Sequence, residues 1–150
     1  MLFPCRIKPN GLGSAFSNNM TTFRILVVDD DQRLTALIRK MLESSGEYEV
    51  LEENRSHQVL PAALQFLPDV ILMDVAMPGK DGGEIANEIR ACQELRNTSI
   101  LFLTALISKA DTGSKTIMRG ANEYMAKPVD PAYLKQRLAE ILGSRKTCEV

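Results

Sequence analysis

Three aspartates in a row, Asp29, Asp30 and Asp31, close the apolar run in "RILVVDDDQRL" (residues 24–34), and Asp74 closes a second such run in "PDVILMDV" (68–75). Carboxylates brought to one place repel, at a cost of about 4 kcal/mol for a pair ~4 Å apart at an effective dielectric near 20. A cation nearby would offset that cost. The run "SILFLTAL" (99–106) carries a hydroxyl at Thr104, and "EYMAK" (123–127) ends in the ammonium of Lys127. Oxygen donors with no histidine or cysteine among them make a hard site of the kind Mg²⁺ occupies with waters and a phosphate. Asp29 and Asp30 are placed to hold the metal. Asp74 stands alone before the loop "VAMPGKDGG", which makes it the best acceptor, because an aspartate carboxylate can take a phosphoryl group as an aspartyl-phosphate. Thr104 and Lys127 complete the surroundings of such a group. Asp31 reads as a helix cap and His57, the one histidine, as an exposed residue.

The elements that must position these residues alternate two periods. "FRILVVD" (23–29) is continuously apolar, as expected of a strand buried on both faces. Leu34, Leu37, Ile38, Met41 and Leu42 then recur as one helical stripe, with Asp31 to cap it and Gly46 to end it. "YEVLE" (48–52) reads as a second strand. Residues 56–67 form a weaker helix, with Ser56 as cap and Pro61 expected to kink it. A third strand covers 68–75. A helix over 82–95 puts Ile85, Ile89 and Cys92 on one side, and a fourth strand covers 99–106. Residues 108–119 read as a poor helix and 123–127 as a fifth strand. The last helix has Asp130 as N-cap, Pro131 at its first position, Leu134, Leu138, Ile141 and Leu142 as its stripe, and Gly143 as its stop.

Five strands alternating with five helices predict an α/β fold: a doubly wound five-stranded parallel sheet with helices on both faces and right-handed crossovers. Sites in such sheets form beyond the carboxyl ends of the strands. Asp29, Asp30, Asp74, Thr104 and Lys127 all fall on that edge.

Bulk properties bound the rest. A chain of 150 residues, 45% hydrophobic and 25% charged, is the size of one domain. The net charge of −1 comes with no basic stripe, so direct binding of nucleic acid is not expected. No apolar run approaches the ~20 residues of a membrane span. Cys5, Cys92 and Cys148 are widely spaced and odd in number, which speaks against a zinc site and for free thiols in a reducing cytoplasm. Residues 1–22, with Pro4, Pro9, Gly11 and Gly13, read as a loose N-terminal arm, 23–143 as the domain and 144–150 as a short polar tail. The ending "SRKTCEV" favours a stand-alone domain with no DNA-binding unit after it.

Together, "ILVVDDD", "DVILMDVAMPGKDG", "LFLTA" and "RGANEYMAKP", with the spacings between them, resemble the receiver domain of bacterial response regulators, the CheY-like family, over about residues 23–143. The resemblance implies two-component signalling: a phosphoryl group passes from a phosphohistidine of a histidine kinase or histidine phosphotransfer protein to Asp74 in a Mg²⁺-dependent way. The domain then acts as a switch of protein contacts and not as a turnover enzyme. By position, Asp29 and Asp30 match the metal-binding pair and the backbone carbonyl of Ala76 a further metal ligand. Thr104 matches the switch hydroxyl, Tyr124 the switch aromatic and Lys127 the phosphate-contacting lysine. The resemblance also implies a cis Lys127–Pro128 bond, a permissive backbone at Gly82, and an output face built from the fourth helix, fifth strand and fifth helix. Ala76 and Leu106 match two positions that flank the phosphoryl site, and neither is polar. Two other readings compete. A haloacid-dehalogenase type phosphatase would need a second aspartate two residues after its nucleophile, where Ala76 stands. A flavodoxin-like flavin protein would need a Ser/Thr/Gly phosphate loop where "DDDQRL" stands.

Overall fold

Ile25 and Val27 turn to one side of the first strand, Leu26 and Val28 to the other, and all four are fully buried. A strand with no solvent face needs cover on both sides. The computed structural model, which describes residues 22–105, 116–119 and 122–146, supplies that cover with four helices around one sheet. The strands are β1 (Phe23–Val28), β2 (Tyr48–Glu53), β3 (Val70–Asp74), β4 (Ser99–Thr104), β5 (Thr116–Arg119) and β6 (Asn122–Ala126). The helices are α1 (Gln32–Glu43), α2 (Val59–Phe66), α3 (Gly82–Ala91) and α4 (Pro131–Lys146).

The sheet order is β2-β1-β3-β4-β6-β5. Five strands run parallel, as predicted, and β5 pairs antiparallel to β6 at the edge. Ile38 and Leu42 of α1 pack with Leu134, Leu138 and Leu142 of α4 on one face. Val59 and Ala63 of α2 pack with Ile85, Ala86 and Ile89 of α3 on the other. The sheet is therefore doubly wound. Arg137 of α4 further ties that helix to β6, donating from Nη2 to Glu123 Oε1 at 2.6 Å and from Nε to the other carboxylate oxygen.

Several expectations need correction. Residues 116–119 of the expected fourth helix are strand β5, and 106–115 lie outside the described residues. The segment "TIMR" carries two β-branched residues and no helical stripe, so pairing along β6 is its better use. Pro61 does not kink α2, because it lies in the first turn, where its missing N–H has no partner to lose. Ser56 does not cap that helix; its hydroxyl is used elsewhere. Leu37 is 62% exposed although it lies on the apparent stripe. At about 100° per residue it sits at the outer rim of the arc centred on Ile38, and Thr35 takes the inner place. Gly143 does not stop the last helix, which runs on to Lys146. Asp31 and Asp130 cap as expected, each accepting from backbone N–H groups of the following turn. The expected arm over residues 1–22 falls almost wholly outside the described residues.

The helical Gly143 generates a test. A Cβ built there meets nothing within 4 Å, so Gly143→Ala removes backbone entropy from the unfolded chain without a clash. It is expected to stabilise the protein by about 0.5–1 kcal/mol, read as a higher urea midpoint with an unchanged slope. A lower midpoint would show that residue 143 is not helical.

Candidate functional site

The strand order reverses around β1, which is flanked by β2 and β3, and the crevice of a doubly wound sheet opens at such a point. The register decides what lines it. Val28 stands opposite Met73, so Asp29 and Asp74 leave the sheet side by side. Thr104 stands opposite Ala126, and Lys127 follows at once. Asp29, Asp74 and Thr104 are buried, at 1%, 6% and 4% exposure, while Asp30 is exposed. The carboxylates of Asp29, Asp30 and Asp74 each offer an oxygen, and these lie within 4.8 Å of one another.

Lys127 answers the repulsion. Its Nζ donates to Asp29 Oδ2 at 2.6 Å and to Asp74 Oδ1 at 3.1 Å. Burial pulls the lysine's proton affinity down, but the bonds and charges of Asp29 and then Asp74 outweigh it and leave the pKa raised. Asp74 keeps a raised pKa. Burial is the main cause and the neighbouring Asp29 charge the second, against the lowering by Lys127 and by the Ala76 backbone N–H that bonds its carboxylate. The site thus holds an ammonium on one side and excess negative charge on the other. Three carboxylate oxygens with no nitrogen or sulfur donor fit a hard divalent cation.

The loop between β3 and α3 is shaped by close approach. A Cβ on Gly82 would lie 2.6 Å from the Asp74 carbonyl oxygen, and the Gly82 N–H donates to Val75 O at 2.9 Å. Gly82 is required for space; the positive φ in this loop, +92°, belongs to Gly79. The Lys127–Pro128 bond is cis. Tyr124 is half-buried, its ring stacked on Phe102 at 5.0 Å, and its hydroxyl accepts from Asn122 Nδ2 at 3.5 Å. Ala76 is exposed in the loop, and Leu106 lies outside the described residues.

Two contributors were missed in the sequence. Asn54 Nδ2 donates to the Asp29 carbonyl at 2.8 Å and to Thr35 Oγ1 at 2.9 Å, and Thr35 in turn donates to Glu52. Ser56 Oγ donates to the Pro78 carbonyl at 2.8 Å. The signal was available: in a parallel sheet the end of β2 reaches the same edge as the ends of β1 and β3, so residues just beyond Glu53 belong to the site.

Comparison with known proteins agrees with this geometry. The model of the response regulator receiver domain matches residues 25–139. The alkaline phosphatase synthesis transcriptional regulatory protein PhoP of Bacillus subtilis is 32% identical over 122 residues, covering 79% of this chain and 48% of PhoP. The sensor protein GacS of Pseudomonas syringae is 35% identical over 80% of this chain and 13% of its own. Among solved structures, the chemotaxis response regulator CheY4 of Vibrio cholerae superposes with a TM-score of 0.67 at 26% identity, over 81% of this chain and 99% of that one. The chain belongs to the response regulator receiver domain family, whose members are the phosphorylation-dependent switches of two-component systems. It spans about half the length of PhoP. The phosphatase reading finds no support in these matches.

The charge balance generates a stability prediction. A carboxyl whose folded pKa is raised binds its proton more tightly when folded, so stability falls as pH rises through the unfolded value, about 3.9, toward the folded one. At neutral pH the ionised Asp74 therefore costs stability in the metal-free protein. Asp74→Asn is expected to raise stability by roughly 1 kcal/mol at pH 7, with the gain vanishing below the unfolded value. Thermal melts across pH check this, and an Asn variant less stable than the wild type at pH 7 would refute it.

Proposed function

We propose that this receiver domain takes a phosphoryl group from a phosphohistidine onto Asp74 and answers by changing its protein contacts. The observation that carries the reading is the pairing of Asp29 and Asp74 at adjoining strand ends, bridged by one lysine. An Asp74 carboxylate oxygen attacks phosphorus, the phosphorus–nitrogen bond breaks, and the imidazole leaves with the bonding pair. Asp29, Asp30, the Asp74 carboxylate and the Ala76 carbonyl are the groups to hold Mg²⁺. When bound, Mg²⁺ supplies the positive charge that lets a phosphoryl group approach an acidic pocket. Lys127 is already within reach of Asp74, and on transfer its ammonium turns to the new phosphoryl oxygens. Thr104 follows with its hydroxyl, and Tyr124, one strand away on Phe102, moves into the space this opens. That sequence is a bistable element biased by local charge.

The donor, by the chemistry of the family, is a histidine kinase or a histidine phosphotransfer protein. The output surface lies around β6 and α4. Among the described residues no helix is long and apolar enough to cross a membrane, and a cytoplasmic location follows from the donor class.

Asp74→Asn is expected to abolish labelling by acetyl phosphate or a phosphorylated histidine donor, and Asp30→Ala to weaken Mg²⁺ binding. Undiminished labelling of the Asn variant would remove Asp74 from the acceptor role.

The lifetime of the mark follows from what flanks it. Hydrolysis needs a water lined up opposite the carboxylate that leaves, and such positioning is worth several kcal/mol. Ala76 has no side-chain group to hold that water, and Leu106, which the family resemblance matches to the other flanking position, is an apolar residue type. The phosphorylated state is expected to outlast that of a variant with Ala76→Asn and Leu106→Glu. Decay measured side by side decides it: equal rates would show that these two side chains do not control hydrolysis here.

A further inference from the structure

The loop after β2 touches both halves of the acidic site. Asn54 donates to the carbonyl of Asp29, at the end of β1. Two residues on, the buried hydroxyl of Ser56 donates to the Pro78 carbonyl at 2.8 Å and accepts from the Lys80 N–H at 3.3 Å. Pro78 and Lys80 belong to the loop that follows Asp74, and between them Gly79 turns with φ +92°. The fit at that turn is tight, since a Cβ on Gly79 would stand 2.8 Å from Ser56 Oγ. A cleft of about 210 Å³ runs along this seam, between Asp30 on one side and Met77 and Pro78 on the other.

From these bonds we infer that Asn54 and Ser56 are positioning residues: they form a bracket that fixes the spacing between the acidic pair and the acceptor loop. This rests on the metal reading above. Asp29 and Asp74 are themselves fixed at adjoining strand ends, so what the bracket sets is where the Ala76 carbonyl, beyond β3, stands relative to Asp30, beyond β1. Without the bracket, the loop of residues 75–81 is still held by the Gly82 N–H on Val75, by Lys80 Nζ on Glu88 and by the buried Met77, but it loses its tie to the segment after β2 beside Asp30. A cation that needs ligands from both loops would then have to draw them together itself. With the bracket, the two loops meet the cation at a spacing already set. Groups that orient ligands from behind typically change metal affinity by ten- to a hundredfold when removed.

The test uses the whole chain and two readouts. In the first, Mg²⁺ is titrated while the backbone amides of residues 75–82 are followed by NMR. Ser56→Ala and Asn54→Ala are each expected to raise the dissociation constant about tenfold, and Ser56→Thr, which keeps the hydroxyl, to restore most of the affinity. In the second, amide exchange is measured without metal. Ser56→Ala is expected to speed exchange at Lys80 and at Ala76, whose N–H bonds Asp74, while β1 and β3 stay protected. Unchanged Mg²⁺ affinity in both alanine variants, with unchanged exchange at Ala76, would overturn the bracket. A wild type that binds no Mg²⁺ would overturn the metal site instead, and the exchange result would then decide the bracket alone.

Discussion

The carboxylates of Asp29 and Asp74 are held side by side by a pairing that neither can relax. β1 and β3 are locked in parallel register by core side chains on both faces, so their last residues cannot slip apart without exposing Val28 or Met73. The adverse contact is therefore maintained by the bulk of the molecule and relieved only locally. Lys127 supplies the relief, and it does so from β6 because Thr104 O receives the Lys127 N–H at 2.8 Å and sets where the side chain begins. The site depends on this division of labour: the hydrophobic core enforces proximity, and one ammonium makes it tolerable.

Such a site is under tension in a useful direction. The carboxylate proposed to react has its proton affinity raised by burial and by its neighbour, more than Lys127 and the Ala76 N–H lower it. A divalent cation is the kind of partner that three carboxylate oxygens this close would accept.

Much of this was legible in the sequence because the strands announce themselves. Continuous apolar runs that stop at Asp29, Asp74 and Thr104 give both the parallel sheet and the edge on which chemistry collects. Asp31 and Asp130 gave the helix starts for the same reason that they cap them: a short carboxylate side chain satisfies free N–H groups. What was missed has a common cause. Ser56 looked like a cap and Gly143 like a stop because each residue type has a favoured local use, yet tertiary geometry assigned the serine to a distant loop and left the glycine inside a helix. Gly82 was read through its backbone freedom, whereas the structure requires its lack of a side chain. Residues 116–119 show the limit of reading by alternation, since a helix was expected between β4 and β6 on the pattern of the preceding units, and four residues of it instead add an antiparallel strand.

The pair formed by Arg137 and Glu123 has a mechanical consequence. Glu123 precedes Tyr124 in β6, and the guanidinium grips it through two nitrogens from the middle of α4. A fork of this kind resists shear as well as separation. A shift of the strand beside Tyr124 would therefore load the middle of α4, a helix 16 residues long whose Leu134, Leu138 and Leu142 are seated in the core.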